Sequence, residues 1–189
     1  MKGALVVISG PSGTGKGTVI SSLLNSDPNA MLSVSCTTRA MRPGEVDGVH
    51  YFFITDEKFS EMIQQEAFLE YADVFGMNRY GTPRAFVEEK TEEGRDVYLD
   101  IDVVGAMNVK KAMDEALLIF LMPPSFEELE RRLRGRGTET EEQIQKRLGT
   151  AKGEMAYADK YDYTVVNDDI DACVEQIKTI ISQYKASRR

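Results

Sequence analysis

The chain has 189 residues, a formal net charge of −8 at neutral pH and one histidine, His50. Its hydrophobic content of 42% and charged content of 29% are ordinary globular values, which excludes a disordered or collagen-like chain. The acidic balance argues against nucleic acid and anionic membrane surfaces as partners. A single histidine excludes a multi-histidine metal site. The length predicts one domain that carries inserted lobes.

Targeting signals are not evident in the sequence. The longest apolar runs, Ala4–Ile8 and Ala116–Met122, are far shorter than the ~20 residues of a membrane span, and the apolar run near the N-terminus is too short for a signal peptide. Two cysteines, Cys36 and Cys173, do not form a disulfide framework. We therefore expect a soluble, cytoplasmic protein.

Short β-branched apolar runs alternate with amphipathic segments of helical length, which predicts an α/β fold with a central, mostly parallel sheet between helices. Helices are predicted over Gly15–Asn25, after Asp56, after Ser125 and Thr140 with their capping-box partners Glu128 and Gln143, and after Asp169 or Asp171. The predicted strands are Ala4–Ser9, a strand around Tyr98 and Leu99, Leu117–Met122 and Tyr163–Val166.

Two segments fit this alternation poorly. Ser33–Thr82 is rich in turn residues and aromatics, with strand-like pieces at Tyr51–Ile54 and Phe68–Tyr71, and Arg131–Met155 is dense in charge. We predict that the first is a small mixed α/β lobe and the second a mobile helical flap. Insertions of this kind commonly handle substrates.

A glycine-rich turn joins the first predicted strand to the first predicted helix. In that context the pattern G-x-x-x-x-G-K predicts a phosphate-binding loop, because backbone N–H groups curl around a phosphate and the lysine adds a mobile cation. Gly17 occupies the position of the hydroxyl that commonly contacts Mg²⁺, which leaves a contact from Thr18 uncertain. The predicted polyphosphate-binding residues are Gly10, Pro11, Ser12, Gly13, Thr14, Gly15, Lys16, Gly17 and Thr18.

Two arginines lie three residues apart around a predicted turn. The planar guanidinium groups of Arg39 and Arg42 suit a phosphate monoester, and the hydroxyls of Tyr51 and Tyr80 can reach the same anion. The alternative interpretation is that the arginines are solvated loop charges and that the tyrosines form the core of the small lobe.

The chain contains several further motifs: Thr-Thr-Arg-x-x-Arg-x-Gly-Glu at 37–45, Gly-Val-His-Tyr-Phe at 48–52, Glu70, Arg-Tyr-Gly-Thr at 79–82, Leu-Asp-Ile-Asp at 99–102 and Gly-Arg-Gly-Thr-Glu-Thr at 135–140. Together they resemble the guanylate kinase family, from about Lys2 to Ile181. The resemblance implies a P-loop fold with a core at about 1–32, 83–124 and 157–189. It also implies a GMP-binding lobe at about 33–82 and a lid at about 125–156.

The resemblance also implies a role for each matching residue. Arg39, Arg42, Tyr51 and Tyr80 would hold the GMP phosphate, while Ser35, Glu70, Thr82 and Asp102 would read guanine. A carboxylate such as Glu70 accepts the two adjacent donors of guanine, N1–H and the exocyclic amine, and adenine lacks this pair. Asn167 would contact adenine, Asp100 would hold Mg²⁺ through water, and Lys16, Arg39, Arg132, Arg136 and Arg147 would be catalytic.

The implied reaction is transfer of the γ-phosphoryl group of ATP to GMP, assisted by Mg²⁺ and giving ADP and GDP. Structural alternatives stay open for several residues: helix capping for Asp100 or Asp102, a turn role for Asn167, and surface salt bridges for the lid arginines. So do other functions: a different nucleoside-monophosphate kinase, a non-catalytic phosphopeptide-binding module, or a regulatory P-loop ATPase. Use of dGMP, and the choice between monomer and homodimer, are also open.

Overall fold

A computed structural model describes residues 2–74, 78–135 and 140–188. The strands are β1 (Leu5–Ser9), β2 (Ala30–Leu32), β3 (Cys36–Thr37), β4 (Phe52–Phe53), β5 (Phe68–Val74), β6 (Asn78–Pro83), β7 (Asp96–Asp100), β8 (Leu117–Met122) and β9 (Tyr163–Val166). The α-helices are α1 (Lys16–Ser26), α2 (Asp56–Gln64), α3 (Arg84–Glu92), α4 (Val103–Ala112), α5 (Phe126–Gly135), α6 (Glu141–Met155) and α7 (Ile170–Ser187).

The first sheet has the strand order β2-β7-β1-β8-β9, and all of its pairings are parallel. The predicted fold class is therefore confirmed. The edge strand β2 is an addition to the prediction, because Ala30–Leu32 is too short to show a strand pattern and is held by pairing with Asp96–Tyr98. Parallel pairing brings the carboxyl ends of these strands to one edge of the sheet.

Side chains of β1 alternate between two buried layers. Val6 and Ile8 pack in the cluster that contains Val19 of α1 and Ile177 of α7. Leu5 and Val7 face the opposite way, into the cluster built from α3 and α4. A strand buried on both faces explains why its sequence is continuously apolar.

The second sheet, with the order β4-β3-β6-β5, is built from residues of the predicted small lobe. Its β3–β6 and β5–β6 pairings are antiparallel, whereas β3 and β4 are parallel. Phe59 of α2 is fully buried against Phe68, with ring centroids 4.5 Å apart. This aromatic pair forms the centre of the lobe's own core.

Helices α5 and α6 pack against each other through a separate apolar cluster. Leu129 and Leu133 of α5 meet Ile144 and Leu148 of α6. The helical character predicted for this segment is confirmed.

Helix starts agree with most of the predicted caps. Thr140 caps α6 in a complete capping box with Gln143, and Asp169, not Asp171, caps α7. The cap of α2 is Thr55, and Asp56 is the first helical residue. At the start of α5, Ser125 accepts the Glu128 N–H.

Both cysteines lie within the described ranges, buried and outside any disulfide. Burial raises the pKa of each thiol to about 11. No helix within the described ranges combines the length and apolarity needed to cross a bilayer.

Asp96, at the start of β7, joins three parts of the fold. Its buried carboxylate accepts the Ala4 N–H at 2.8 Å and pairs with Lys185 Nζ at 2.8 Å. We expect Asp96→Ala to lower the free energy of unfolding by about 2 kcal/mol, because it leaves both donors without an acceptor. Urea denaturation measures this change. The exposed Asp159→Ala should shift stability by less than about 0.5 kcal/mol, and equal midpoints for the two variants would contradict the role given to Asp96.

Candidate active site

The glycine-rich turn follows β1 and opens directly into α1, as the sequence predicts. Within it the Thr14 hydroxyl donates to the Pro11 carbonyl at 2.8 Å, and the Thr14 N–H donates to the same oxygen at 3.2 Å. These two bonds close the loop on itself. The amino-terminal N–H groups of α1 lie at the mouth of the cavity that the loop encloses, where they favour an anion.

Two glycines of this loop have conformations and surroundings that a side chain would disturb. Gly15 has φ of +85°, and a Cβ there would lie 2.7 Å from Asn167 Nδ2. Gly13 has φ of +96°, and a Cβ there would press at 3.0 Å on Leu129 and Leu133 of α5. The loop therefore packs against Asn167, which follows β9, and against Leu129 and Leu133 of α5.

Lys16, the first residue of α1, faces the end of β7. Its Nζ lies 2.9 Å from Asp100 Oδ1, and both side chains are partly exposed. The loop, Asp100 and Asp102 enclose a cavity of about 410 Å³. Thr18 is exposed and also lines this cavity.

Glu154 of α6 also lines this cavity, and the sequence did not single it out. Burial raises the pKa of Glu154, the positive charge of Lys16 lowers it, and the negative charge of Asp102 raises it. A glutamate in a helix dense in charge carries no distinguishing pattern, so the sequence had no signal for it.

The predicted lid arginines have different surroundings. Arg147 Nη1 donates to the Ser12 hydroxyl of the loop at 2.9 Å. Arg132 donates through Nε to Glu128 at 2.7 Å and through Nη2 to the Asn167 carbonyl at 3.1 Å. Arg136 lies outside the described residues. Arg132 and Arg147 thus both contact the surroundings of the phosphate loop.

Asn167, directly after β9, is 2% exposed and lies beneath the loop. Its Nδ2 donates to the Thr14 carbonyl at 2.6 Å. Among the described residues, its Oδ1 has no hydrogen-bond partner.

The arginine turn of the small lobe contains a tight ion pair. Arg39 donates two hydrogen bonds to the Glu45 carboxylate, at 2.7 and 3.0 Å, and the Arg42 N–H donates to the same carboxylate at 2.7 Å. Hydrogen bonding to Arg39 lowers the pKa of Glu45 to about 2. The Arg42 side chain is exposed.

Aromatic rings of the lobe surround Arg39. Its guanidinium carbon lies 5.4 Å from the Tyr51 ring centroid and 5.6 Å from that of Phe53. The Tyr51 and Tyr80 rings meet edge to face, 5.9 Å apart. Arg39, Tyr51 and Tyr80 are therefore brought together as the sequence predicts.

Glu70 on β5 and Thr82 on β6 are register partners in the second sheet. The Thr82 hydroxyl donates to Glu70 Oε1 at 2.6 Å. Burial raises the pKa of Glu70, the Thr82 hydrogen bond opposes this rise, and the negative charge of Asp102 adds to it. Asp102 has a second role as the cap of α4, accepting the Gly105 N–H at 2.7 Å.

A second cavity, of about 240 Å³, lies between the lobe and α4. Asp100 and Asp102 line both this cavity and the one at the phosphate loop. The two cavities therefore meet at the carboxyl end of β7. Besides these two aspartates, the predicted residues that line the second cavity are Ser35, Tyr51, Glu70 and Tyr80.

Comparison with known proteins gives one consistent result. The family model described as guanylate kinase matches residues 2–184. The chain belongs to the guanylate kinase family. It is 51% identical to the guanylate kinase of Caldanaerobacter subterraneus, covering 97% of this chain and 89% of that protein. Identity to the guanylate kinase of Zymomonas mobilis is 51%, covering 100% and 87% respectively.

A solved structure supports the family fold. The crystal structure of guanylate kinase from Anaplasma phagocytophilum is 37% identical, with a TM-score of 0.70, covering 96% of this chain and 86% of that one. The family resemblance predicted from the motifs is confirmed.

Substitution of Gly15 and of Gly17 tests the geometry of the phosphate loop. Gly15→Ala should lower the free energy of unfolding by roughly 1–2 kcal/mol or more, because alanine is unfavourable at positive φ and its Cβ would meet Asn167. Gly17 is helical, and no atom of the described structure lies within 4 Å of a Cβ built there. Gly17→Ala should therefore be neutral or stabilise by up to about 1 kcal/mol. Thermal or urea denaturation compares the two, and equal destabilisation would contradict the loop geometry.

Proposed function

We propose that this protein transfers the γ-phosphoryl group of ATP to GMP, giving ADP and GDP. The observation that carries the proposal is the single cleft at the carboxyl end of β7, with a phosphate loop on one side and an arginine-tyrosine-glutamate lobe on the other. Membership of the guanylate kinase family supports the same reaction.

On the donor side, the loop from Gly10 to Thr18 would bind the phosphates of ATP. Its N–H groups and the dipole of α1 provide a positive potential for them. Lys16 would leave Asp100 to contact the β- and γ-phosphates, since a lysine side chain has a flexible four-carbon stem and this one borders the cavity. Asn167 lies at the base of this loop.

On the acceptor side, the arginine turn would bind the phosphate of GMP. Arg39 is already oriented by Glu45 and by the ring of Tyr51, while Arg42 is exposed and available to the anion. The hydroxyls of Tyr51 and Tyr80 would complete the site. Two guanidinium groups and two hydroxyls match the oxygens of a phosphate monoester.

Glu70 would read the guanine base. Thr82 occupies one carboxylate oxygen, Oε1, and thereby fixes the orientation of the group. In that orientation the carboxylate would accept N1–H and the exocyclic amine of guanine, with Ser35 and Asp102 on the same cavity wall. Adenine would supply neither of these two donors to the buried carboxylate, which is costly.

Mg²⁺ is the cofactor that the reaction requires. Asp100 fits this ion, because a partly exposed carboxylate oxygen beside the phosphate cavity can hold a hydrated cation. Thr18 is a second candidate ligand. When bound, the ion neutralises charge on the transferring phosphates.

The chemistry would be an in-line displacement. A phosphate oxygen of GMP forms a bond to the γ-phosphorus, and the bond from that phosphorus to the β–γ bridging oxygen breaks. No general base is needed, because the acceptor is already an anion at neutral pH, with a second pKa near ~6. Lys16, Arg39, Arg132, Arg136 and Arg147 would stabilise the spread negative charge.

Closure of the cleft would exclude water from the transferring group. We assign the core to residues of about 1–32, 83–124 and 157–189, the GMP-binding lobe to about 33–82, and the lid to about 125–156. The hydrogen bond from Arg147 to Ser12 supports this lid, since it joins α6 to the phosphate loop.

Variants of Lys16 and Arg42 test the ATP side and the GMP side of the mechanism separately. Lys16→Ala should lower kcat by roughly 10²–10³-fold, because a cation on the transferring phosphates is lost. Arg42→Ala should instead raise KM for GMP by about tenfold or more, since it removes charged hydrogen bonds to the acceptor. A coupled assay of ADP release measures both constants. The exposed Lys58→Ala is the control, and near-normal turnover of Lys16→Ala would refute the assigned mechanism.

Glu70 should make GMP binding sensitive to acid. Its pKa is raised, so the carboxylate becomes protonated at a higher pH than an ordinary glutamate and then no longer accepts both guanine donors. KM for GMP should therefore rise as pH falls through this raised pKa. Glu70→Gln should show lower selectivity for GMP over AMP and only the pH dependence of the GMP phosphate. Identical pH profiles of KM in the two proteins would place the guanine reader elsewhere.

A further inference from the structure

Asn167 joins three parts of the site that are distant in sequence. It follows β9, its Nδ2 donates to the Thr14 carbonyl at 2.6 Å, and its own carbonyl accepts from Arg132 at 3.1 Å. Its backbone N–H donates to the Met122 carbonyl at the end of β8, at 2.9 Å. The residue is thereby fixed to the sheet while it holds the loop.

The contact to Thr14 has a direct effect on the anion-binding groups. A carbonyl that turned toward the cavity would place a partial negative charge where phosphates bind. The amide of Asn167 holds the Thr14 carbonyl on the buried side, 153 residues away in sequence. The next residue, Gly15, adopts a positive φ, and a Cβ built there would lie 2.7 Å from this amide nitrogen.

The other half of the amide is not used for structure. Oδ1 of Asn167 is buried and has no hydrogen-bond partner among residues 2–74, 78–135 and 140–188. A buried acceptor without a donor costs free energy, so its presence at this position calls for an explanation. A purely structural position could hold the Thr14 carbonyl with a side chain that leaves nothing unpaired.

We propose that Asn167 is a positioning residue for the triphosphate, which acts by holding the Thr14 carbonyl away from the phosphate cavity. This proposal rests on the proposed function in one respect, namely that the loop binds the phosphates of ATP. In this role Asn167 affects every polyphosphate, whether or not a base is attached. A side-chain contact to adenine would affect only the nucleotide.

Inorganic tripolyphosphate distinguishes these two roles, because it has no base. Asn167→Ala should weaken binding of tripolyphosphate and of ATP by a similar factor, about tenfold, when both are titrated calorimetrically with Mg²⁺. KM for ATP should rise and kcat should fall, while KM for GMP should not change. Asn167→Leu approximates the shape of the side chain, removes the donor and adds no charge, and it should show the same pattern if the alanine variant does not fold.

Val165→Ala is the matched control. Val165 is fully buried two residues earlier in β9 and packs in the core cluster that contains Val19 and Ile177, so its truncation destabilises the same strand and removes no hydrogen bond to the loop. It should lower stability and leave tripolyphosphate affinity unchanged. The proposal is overturned if the Asn167 variants bind tripolyphosphate as the parent does, whether or not ATP binding is weakened. A parent protein that fails to phosphorylate GMP would refute the proposed function and leave this comparison valid.

Discussion

Parallel pairing in the first sheet is the constraint on which the site depends. Because β1, β7 and β9 run in the same direction, the phosphate loop, Asp100 and Asn167 all lie at the carboxyl ends of strands, at one edge of the sheet. None of these groups is near another in sequence. Helix α1 begins at this edge as well. Its positive amino-terminal end and Lys16, its first residue, therefore lie at the cavity.

Several cations proposed to bind phosphate form ion pairs within the protein. Lys16 is paired with Asp100, Arg39 with Glu45, and Arg132 with Glu128. In the proposed reaction, phosphate binding at Lys16 would be an exchange of anions, in which the phosphates replace Asp100. The ion pair of Arg39 has a different role from that of Lys16. Glu45 holds the Arg39 guanidinium in place beside the Tyr51 ring. A net charge of −8 is compatible with this local arrangement.

Local patterns made most of the fold predictable. The phosphate loop was recognisable because its glycines, its lysine and the flanking strand and helix are contiguous, and the capping box at Thr140 is equally local. The strand β2 and the wall residue Glu154 were not predicted, since each is defined by contacts with distant segments. The family motifs located Glu70 and Thr82, but their hydrogen bond depends on the register between β5 and β6.

The buried thiols of Cys36 and Cys173 affect how the protein can be studied in solution. With a pKa of about 11 for each, only about one thiol in a thousand is ionised at pH 8. The thiolate is the form that reacts with alkylating reagents, disulfides and peroxide. Both native cysteines should therefore react slowly, and a cysteine introduced on the surface of the lobe or of α6 can carry a fluorophore while the native pair stays in place.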